Sequence, residues 1–303
     1  MPPASLACPT ATLACKVGAT LGEGAVWDDV HQAVWFVDIK QNHVHRFTPA
    51  SGQLDTWNAP LAPGWILPQA DGGFLTGHKA GLHRFSPATG EFTLVAQVEP
   101  DLPGNRLNDA TVDRFGRVWF GSMDDGENVP SGHFYRADAK GIARVMSGIT
   151  ITNRPAINPA GDLIYHTDTL AGVIEVSCIA PDGSLSDRRL FARINPIEGY
   201  PDGPVVDAEG CVWTALWGGW AARRYSPAGE LLQTVRFPAA NITKLAFGGA
   251  DGTTVFATSA RKELSTGALA LQPHAGDLFT FAADVPGQRG HRVGDIATNR
   301  FAI

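Results

Sequence analysis

A chain of 303 residues with 44% hydrophobic and 18% charged residues is long enough and apolar enough to bury a sizeable core. Its formal net charge of -6 is scattered and leaves no basic face, which argues against nucleic acid and anionic membrane as partners. No apolar run approaches membrane-spanning length, and residues 1–13 carry no Lys or Arg ahead of their mildly apolar part, so they make a poor secretion signal.

In chain order, an irregular segment over 1–11 precedes a strand over 12–17 that has no hairpin of its own. From Leu21 the chain repeats. Aromatic-rich strands recur at 34–37, 74–75, 118–120, 164–165, 212–213 and 255–256. Their spacing is roughly 40 to 48 residues, the period of a four-stranded propeller blade. Gly-containing turns precede most of them, at 71–73, 115–117, 160–162, 209–210 and 251–252, as hairpins require. A third strand often ends in an aromatic residue followed by Ser/Thr-Pro, at 45–49, 83–87 and 224–227. Six such units make an all-β chain, a six-bladed β-propeller in one domain over 1–303. The strand over 12–17 is expected to pair with the last blade, close the ring and hide an edge. A pair of β-sandwiches explains the strands and turns but not the period.

A second feature recurs at one register. Glu23, Asn108, Asn153 and Asp202 each lie five positions before Asp28, Asp113, Asn158 and Asp207, with a short apolar run between. Thr243 and Gly248 repeat the plan in the last unit, and Gly64 stands near the equivalent place in the second. Equal offsets in a closed ring put the four polar side chains at one height around one axis. Glu23, Asn153 and Asp202 then offer two carboxylates and an amide oxygen, the donors a hard divalent cation prefers. Three protein ligands leave positions open for water and substrate. Any one of these residues alone reads as a turn residue capping its own backbone; the shared register sets the group apart.

Arg106 lies just before Asn108 and offers a planar fork of donors, and both are read as substrate contacts. Trp217, Trp220 and Trp65 are placed where an indole can stack on a sugar face, although tryptophans are also common propeller filler. Trp35, Trp119 and Trp213 fall on second strands and are read as core. His43 and His45 read as outer surface, and His166 as a packing residue near the pocket end of its strand. There is no GxSxG elbow, P-loop or HExxH, so a serine nucleophile lacks its motif. The four cysteines, Cys8, Cys15, Cys178 and Cys211, have no CxxC spacing and suit a reducing cytoplasm.

Four segments, Leu21-Gly22-Glu23-Gly24, Arg106-Leu107-Asn108-Asp109, Ile151-Thr152-Asn153 and Tyr200-Pro201-Asp202-Gly203, occur in the order of a known signature. At these residues the chain resembles the SMP-30/gluconolactonase family, which includes regucalcin. The resemblance runs from about Leu21 to the end. It implies a six-bladed propeller with a divalent metal in its channel and, in many members, hydrolysis of sugar lactones. It implies metal ligation by Glu23, Asn153 and Asp202, and substrate contact by Arg106 and Asn108, with Asn108 a further candidate ligand. Segments 165–169 and 216–219 look most like bacterial members acting on aldonolactones. One departure stands out: many members have Gly after the metal-binding Asn, and this chain has Arg154. A left-handed turn there costs a non-Gly residue on the order of 1 kcal/mol. Either the backbone differs or Arg154 adds a cation near the site.

The expected function is therefore metal-dependent hydrolysis of aldonolactones such as xylono-, arabinono-, galactono- or gluconolactone. The metal polarises the carbonyl, and Asp202 or a metal-held hydroxide activates the attack. The donor set admits calcium, magnesium, manganese, zinc or iron(II). The alternatives are a non-catalytic calcium- or sugar-binding propeller, or a related esterase acting on other esters. The partner expected is a small sugar lactone, with the protein a monomer or weak homo-oligomer.

Overall fold

A computed structural model describes residues 9–297. It contains six four-stranded antiparallel sheets. The first blade is Gly22–Asp28, Ala33–Asp38, His43–Thr48 and Gln53–Asn58, and the second is Pro63–Pro68, Phe74–His78, Gly81–Ser86 and Glu91–Gln97. The third is Asn105–Val112, Val118–Asp124, Gly132–Asp138 and Gly141–Ile149, and the fourth is Thr152–Ile157, Leu163–Asp168, Val173–Ile179 and Leu185–Arg193. The fifth is Tyr200–Val206, Val212–Trp217, Ala221–Tyr225 and Leu231–Arg236. The sixth takes Ile242–Gly248, Thr254–Ser259 and Leu278–Ala282, and its outer strand is Thr12–Cys15 from the other end of the chain. Each inner strand packs against the inner strand of the next blade, and that of the sixth against that of the first. The ring is a six-bladed propeller.

The N-terminal strand closes it as expected, with Thr12 opposite Thr280 and Leu13 opposite Phe279. Of the segment read as irregular, residues 1–8 lie outside the described residues, while Thr10 bridges Arg236 of the fifth blade. Sequence position within a blade decides composition. Second strands lie between neighbouring sheets, and Ala33–Asp38 is buried at every position, so it reads as a continuous apolar run rather than an alternation. Fourth strands face solvent, and Leu185–Arg193 is mostly exposed and charged. The core lies between blades: Trp35 packs on Trp57 and Phe74 at 5.3 and 4.3 Å, and Trp213 on Phe281 at 5.6 Å.

Every inner strand carries a one-residue irregularity against its second strand, directly beyond the polar position. The shifts fall at Glu23/Val26, Pro63/Trp65, Asn108/Ala110, Asn153/Ala156, Asp202/Val205 and Ile242/Lys244. A bulge turns the strand locally and re-aims side chains. Gly24 (φ 62°) and Gly203 (φ 41°) take the left-handed conformation this needs, and so does Asp109 (φ 39°). Arg154 does not. Pro155 follows it, and a residue before proline is held extended. The backbone differs there, and the strain of a left-handed Arg is avoided.

After Ala282 the chain leaves the sheets and crosses the face of the ring where inner strands end. Pro286 O accepts from Ala208 N, Gln288 Nε2 donates to Ile157 O, Arg292 Nη2 donates to Asp28 Oδ1, and Gly294 N donates to Gly116 O. With these bonds the strap ties the first, third, fourth and fifth blades together on the lower face. Inner strands begin, and second strands end, on the upper face.

Candidate functional site at the upper face

A cavity of about 170 Å³ opens on the upper face. Glu23, Asn108, Asn153, Asp202, Arg106 and Trp217 all line it. The four polar residues before the bulges of the first, third, fourth and fifth blades thus meet at one place, as their common register implies. The equivalent position in the second blade is Gly64, where an added Cβ would meet Leu107 O at 2.2 Å, so no side chain fits. In the sixth, the Thr243 hydroxyl is spent on Gly22 O at 2.6 Å.

The two acids are buried, each 4% exposed. Glu23 Oε2 accepts from Gly24 N at 3.0 Å. Asp202 Oδ1 is buried with no hydrogen-bond partner among the described residues. Burial, and then the negative charge of Asp109, push the Glu23 carboxyl up to about 8. Burial, and then the Glu23 charge, raise Asp202 well above the carboxylate range. Two carboxylates share a low-dielectric pocket, one with an oxygen that no described residue satisfies, and the nearby cations do not offset their burial.

The amides are held by their neighbours. Asn153 Nδ2 donates to Thr169 Oγ1 at 2.9 Å, and Thr169 Oγ1 donates to Pro201 O at 3.0 Å. That chain fixes the amide nitrogen of Asn153, and its oxygen accepts from Asn108 Nδ2 at 3.2 Å. Asn108 Nδ2 also donates to Thr152 O at 2.6 Å, and its Oδ1 accepts from Arg106 Nη1 at 2.6 Å. With its oxygen committed to Arg106, Asn108 is oriented as a link between Arg106 and Asn153. Arg106 is 3% exposed and also donates from Nε to Asp125 Oδ1 at 3.0 Å. These bonds leave its Nη2 uncommitted.

Trp65 requires a correction. It is 1% exposed and belongs to the core between the second and third blades, 5.9 Å from Phe120. Its indole lies on Gly77, where an added Cβ would meet Cε2 at 2.2 Å. The bulge at Gly64 turns Trp65 into the inter-blade space, so it cannot touch a ligand in the cavity. Trp217 does line the cavity, and Lys262 Nζ lies 5.6 Å from its ring centre. Trp220 is exposed and does not line the cavity.

Two features of the site were not legible as chemistry. Lys262 Nζ reaches Glu127 Oε1 at 2.6 Å and Glu263 Oε1 at 2.9 Å, joining loops of the third and sixth blades at the cavity rim. Lys244 Nζ crosses the channel from the sixth blade to Asp109 Oδ2 of the third, each side chain 1% exposed. Burial, and then the Arg154 charge, lower the Lys244 ammonium to about 7, against the opposing pull of Asp109. The signal in the sequence was a single Lys inside an otherwise uncharged inner strand, Ile242–Gly248. Its meaning depended on which residue faced it across the ring.

The donor chemistry fits a divalent cation: oxygen donors on Glu23, Asn153 and Asp202, one of them orphaned, at the bottom of an open cavity. The groups of three or more His, Cys, Asp or Glu side chains that mark a conventional cluster are absent among the described residues.

Known proteins agree with this architecture. The chain is 36% identical over 298 residues to L-arabinolactonase of Azospirillum brasilense, covering 96% of this chain and 95% of that protein. It is 32% identical to 6-deoxy-6-sulfogluconolactonase of Pseudomonas putida, covering 91% and 96%. A crystal structure of regucalcin from Agrobacterium tumefaciens, described as a calcium-binding protein, superposes with a TM-score of 0.91 at 28% identity, covering 95% of this chain and 98% of that one. Residues 21–261 match the SMP-30/Gluconolactonase/LRE-like region, and the chain belongs to that family.

Proposed function

We propose that this protein is a sugar lactonase that opens aldonolactones to aldonic acids, using a divalent cation held by Glu23, Asn153 and Asp202. The observation that carries this reading is the buried, unpartnered Oδ1 of Asp202 beside a second buried carboxylate, in a cavity that opens to solvent. A divalent cation bound there supplies electrophilic stabilisation of the lactone carbonyl oxygen. Its charge also offsets the repulsion between the two acids.

The protein's own groups do the rest. Asp202, ionised once a cation offsets its burial, would take a proton from the water that attacks the carbonyl carbon. The ring C–O bond breaks, and the ring oxygen leaves as a hydroxyl once it receives that proton. Arg106 presents Nη2 to ring hydroxyls or the ester oxygens, held in orientation by Asp125 and Asn108. Trp217 forms an apolar wall on which a sugar face stacks. A cavity of about 170 Å³ and the likeness to an L-arabinolactonase favour small aldonolactones, pentonolactones first. We propose a single-domain monomer or weak homo-oligomer in a reducing cytoplasm; the free thiols of Cys15, Cys178 and Cys211 support the reducing compartment alone.

The test is lactone hydrolysis by pH-indicator assay after chelation and re-addition of single metals, on xylono-, arabinono-, galactono- and gluconolactone with spontaneous opening subtracted. Metal-restored turnover on a subset is expected. The absence of any rate above background, with any metal and on folded protein, replaces this reading with a calcium-binding propeller, which the similarity to a calcium-binding regucalcin favours.

A further inference from the structure

A larger cavity of about 530 Å³ lies at the opposite mouth of the channel, between the ring and the strap. It contains neither Glu23 nor Asp202. Lys244 and Asp109, joined across the channel, lie between the two mouths.

The lower cavity has the opposite polarity. Arg154 lines it from the fourth blade, Arg114 from the third and Arg289 from the strap, and the acids Asp29 and Asp251 line it as well. Asp251 Oδ1 is already spent on Thr253 N and Oγ1 within its own turn. Among the described residues Arg154 makes no ion pair with a carboxylate. The acid whose charge acts on it is Asp109, which Lys244 already holds. Its one hydrogen bond is a long one, Nη2 to Thr111 Oγ1 at 3.3 Å, and its Nε is buried without a partner among the described residues. A second buried donor on the same cavity is also unpartnered, Trp27 Nε1, whose ring is fixed by stacking on Phe256 at 5.8 Å. Arg154 as a whole is half-buried, but donor atoms buried without a partner are costly. Two unsatisfied donors and one uncompensated cation call for an acceptor with negative charge.

We propose that the lower mouth is a second ligand site, distinct from the upper pocket, that binds a small oxyanion (a carboxylate or a phosphate) through Arg154 and Trp27 Nε1. Arg114 and Arg289 add positive charge at its edge. The site is independent of the lactonase reading, because it shares no residue with the upper pocket.

Calorimetric titration of inorganic phosphate into the full chain at low ionic strength tests it, with gluconate as a second titrant to separate phosphate from carboxylate preference. Saturable binding at one site is expected. Arg154→Met should weaken it at least tenfold, Trp27→Phe severalfold, and Arg106→Met not at all. Trp27→Phe keeps the ring stack, so it serves if Arg154→Met fails to fold. Binding that never saturates, or that survives in both lower-mouth variants, overturns the proposal. Loss of binding in Arg106→Met with retention in the lower-mouth variants places the anion in the upper pocket and overturns it equally.

Discussion

The two ends of the fifth blade's inner strand treat the same chemistry in opposite ways. Asp202 and Asp207 stand five residues apart on one strand segment, both almost fully buried. Asp207 is saturated: Oδ1 accepts from Glu209 N and Cys211 N, and Oδ2 from Trp213 Nε1 and Arg224 Nε. Asp113 repeats the arrangement with Phe115 N, Arg117 N, Trp119 Nε1 and Arg117 Nε. Asp202 Oδ1 has no partner among the described residues. The lower acid builds the hairpin turn and anchors a core tryptophan; the upper one is left with capacity for something the protein does not supply. Burial alone therefore does not separate a structural acid from a functional one. Satisfaction does.

The strongest way to break this comparison is to remove each acid's charge in turn. Asp202→Asn should cost on the order of 10²- to 10⁴-fold in lactone turnover while leaving the fold at least as stable without metal. Asp207→Asn should cost about 3 kcal/mol in urea unfolding, because it strips a buried ion pair, and should leave activity per folded molecule intact. Equal stability losses in the two variants would show that both acids are structural.

The two tryptophans give a parallel contrast of comparable size in stability alone. Trp65→Ala should destabilise by about 3–5 kcal/mol through an inter-blade cavity, with KM unchanged. Trp217→Ala should change urea stability little and raise KM. A raised KM in a folded Trp65 variant would return Trp65 to the site.

A smaller effect concerns charge at the upper end. Glu23 is held near 8, above its ordinary value of 4.5. Its folded form therefore favours the proton, and the stability this contributes without metal is present below the ordinary carboxylate range and lost as pH rises through about 8. A divalent cation competes with that proton. The rise in Tm on adding metal should thus be larger at about pH 8.5 than at about pH 5.5. A pH-independent metal shift in Tm would remove Glu23 from the ligand set.

The smallest effect comes from a buried base outside either end. Burial lowers His166 to about 3 from an ordinary 6.5, with Ser177 Oγ at 3.1 Å from Nε2. The sign here is opposite: stability is present above pH 6.5 and lost as pH falls toward 3. Each such histidine adds up to about 1.4 kcal/mol per pH unit to acid denaturation. His166→Gln should flatten the Tm profile between pH 4 and 6 by that one-proton slope, and an unchanged profile would mean that His166 protonates freely in the fold.

The repeat period, the hairpin turns and the common register of Glu23, Asn108, Asn153 and Asp202 were legible along the chain, because blade architecture converts sequence offset directly into height on the axis. The placing of Trp35, Trp119 and Trp213 in the core followed from their position on second strands. What the sequence left open were relations between blades. Trp65 and Trp217 are both tryptophans near the upper face, but the Gly64 bulge sends one between blades and Trp217 lines the cavity. Arg154 stands beside Asn153, but Pro155 keeps the backbone extended, and its guanidinium serves the opposite mouth. Lys244 and Asp109 lie 135 residues apart and meet only across the channel. Local sequence determined each blade and the height of each side chain; closure of the ring decided which charges face one another, because those distances exist only after all six inner strands share one axis.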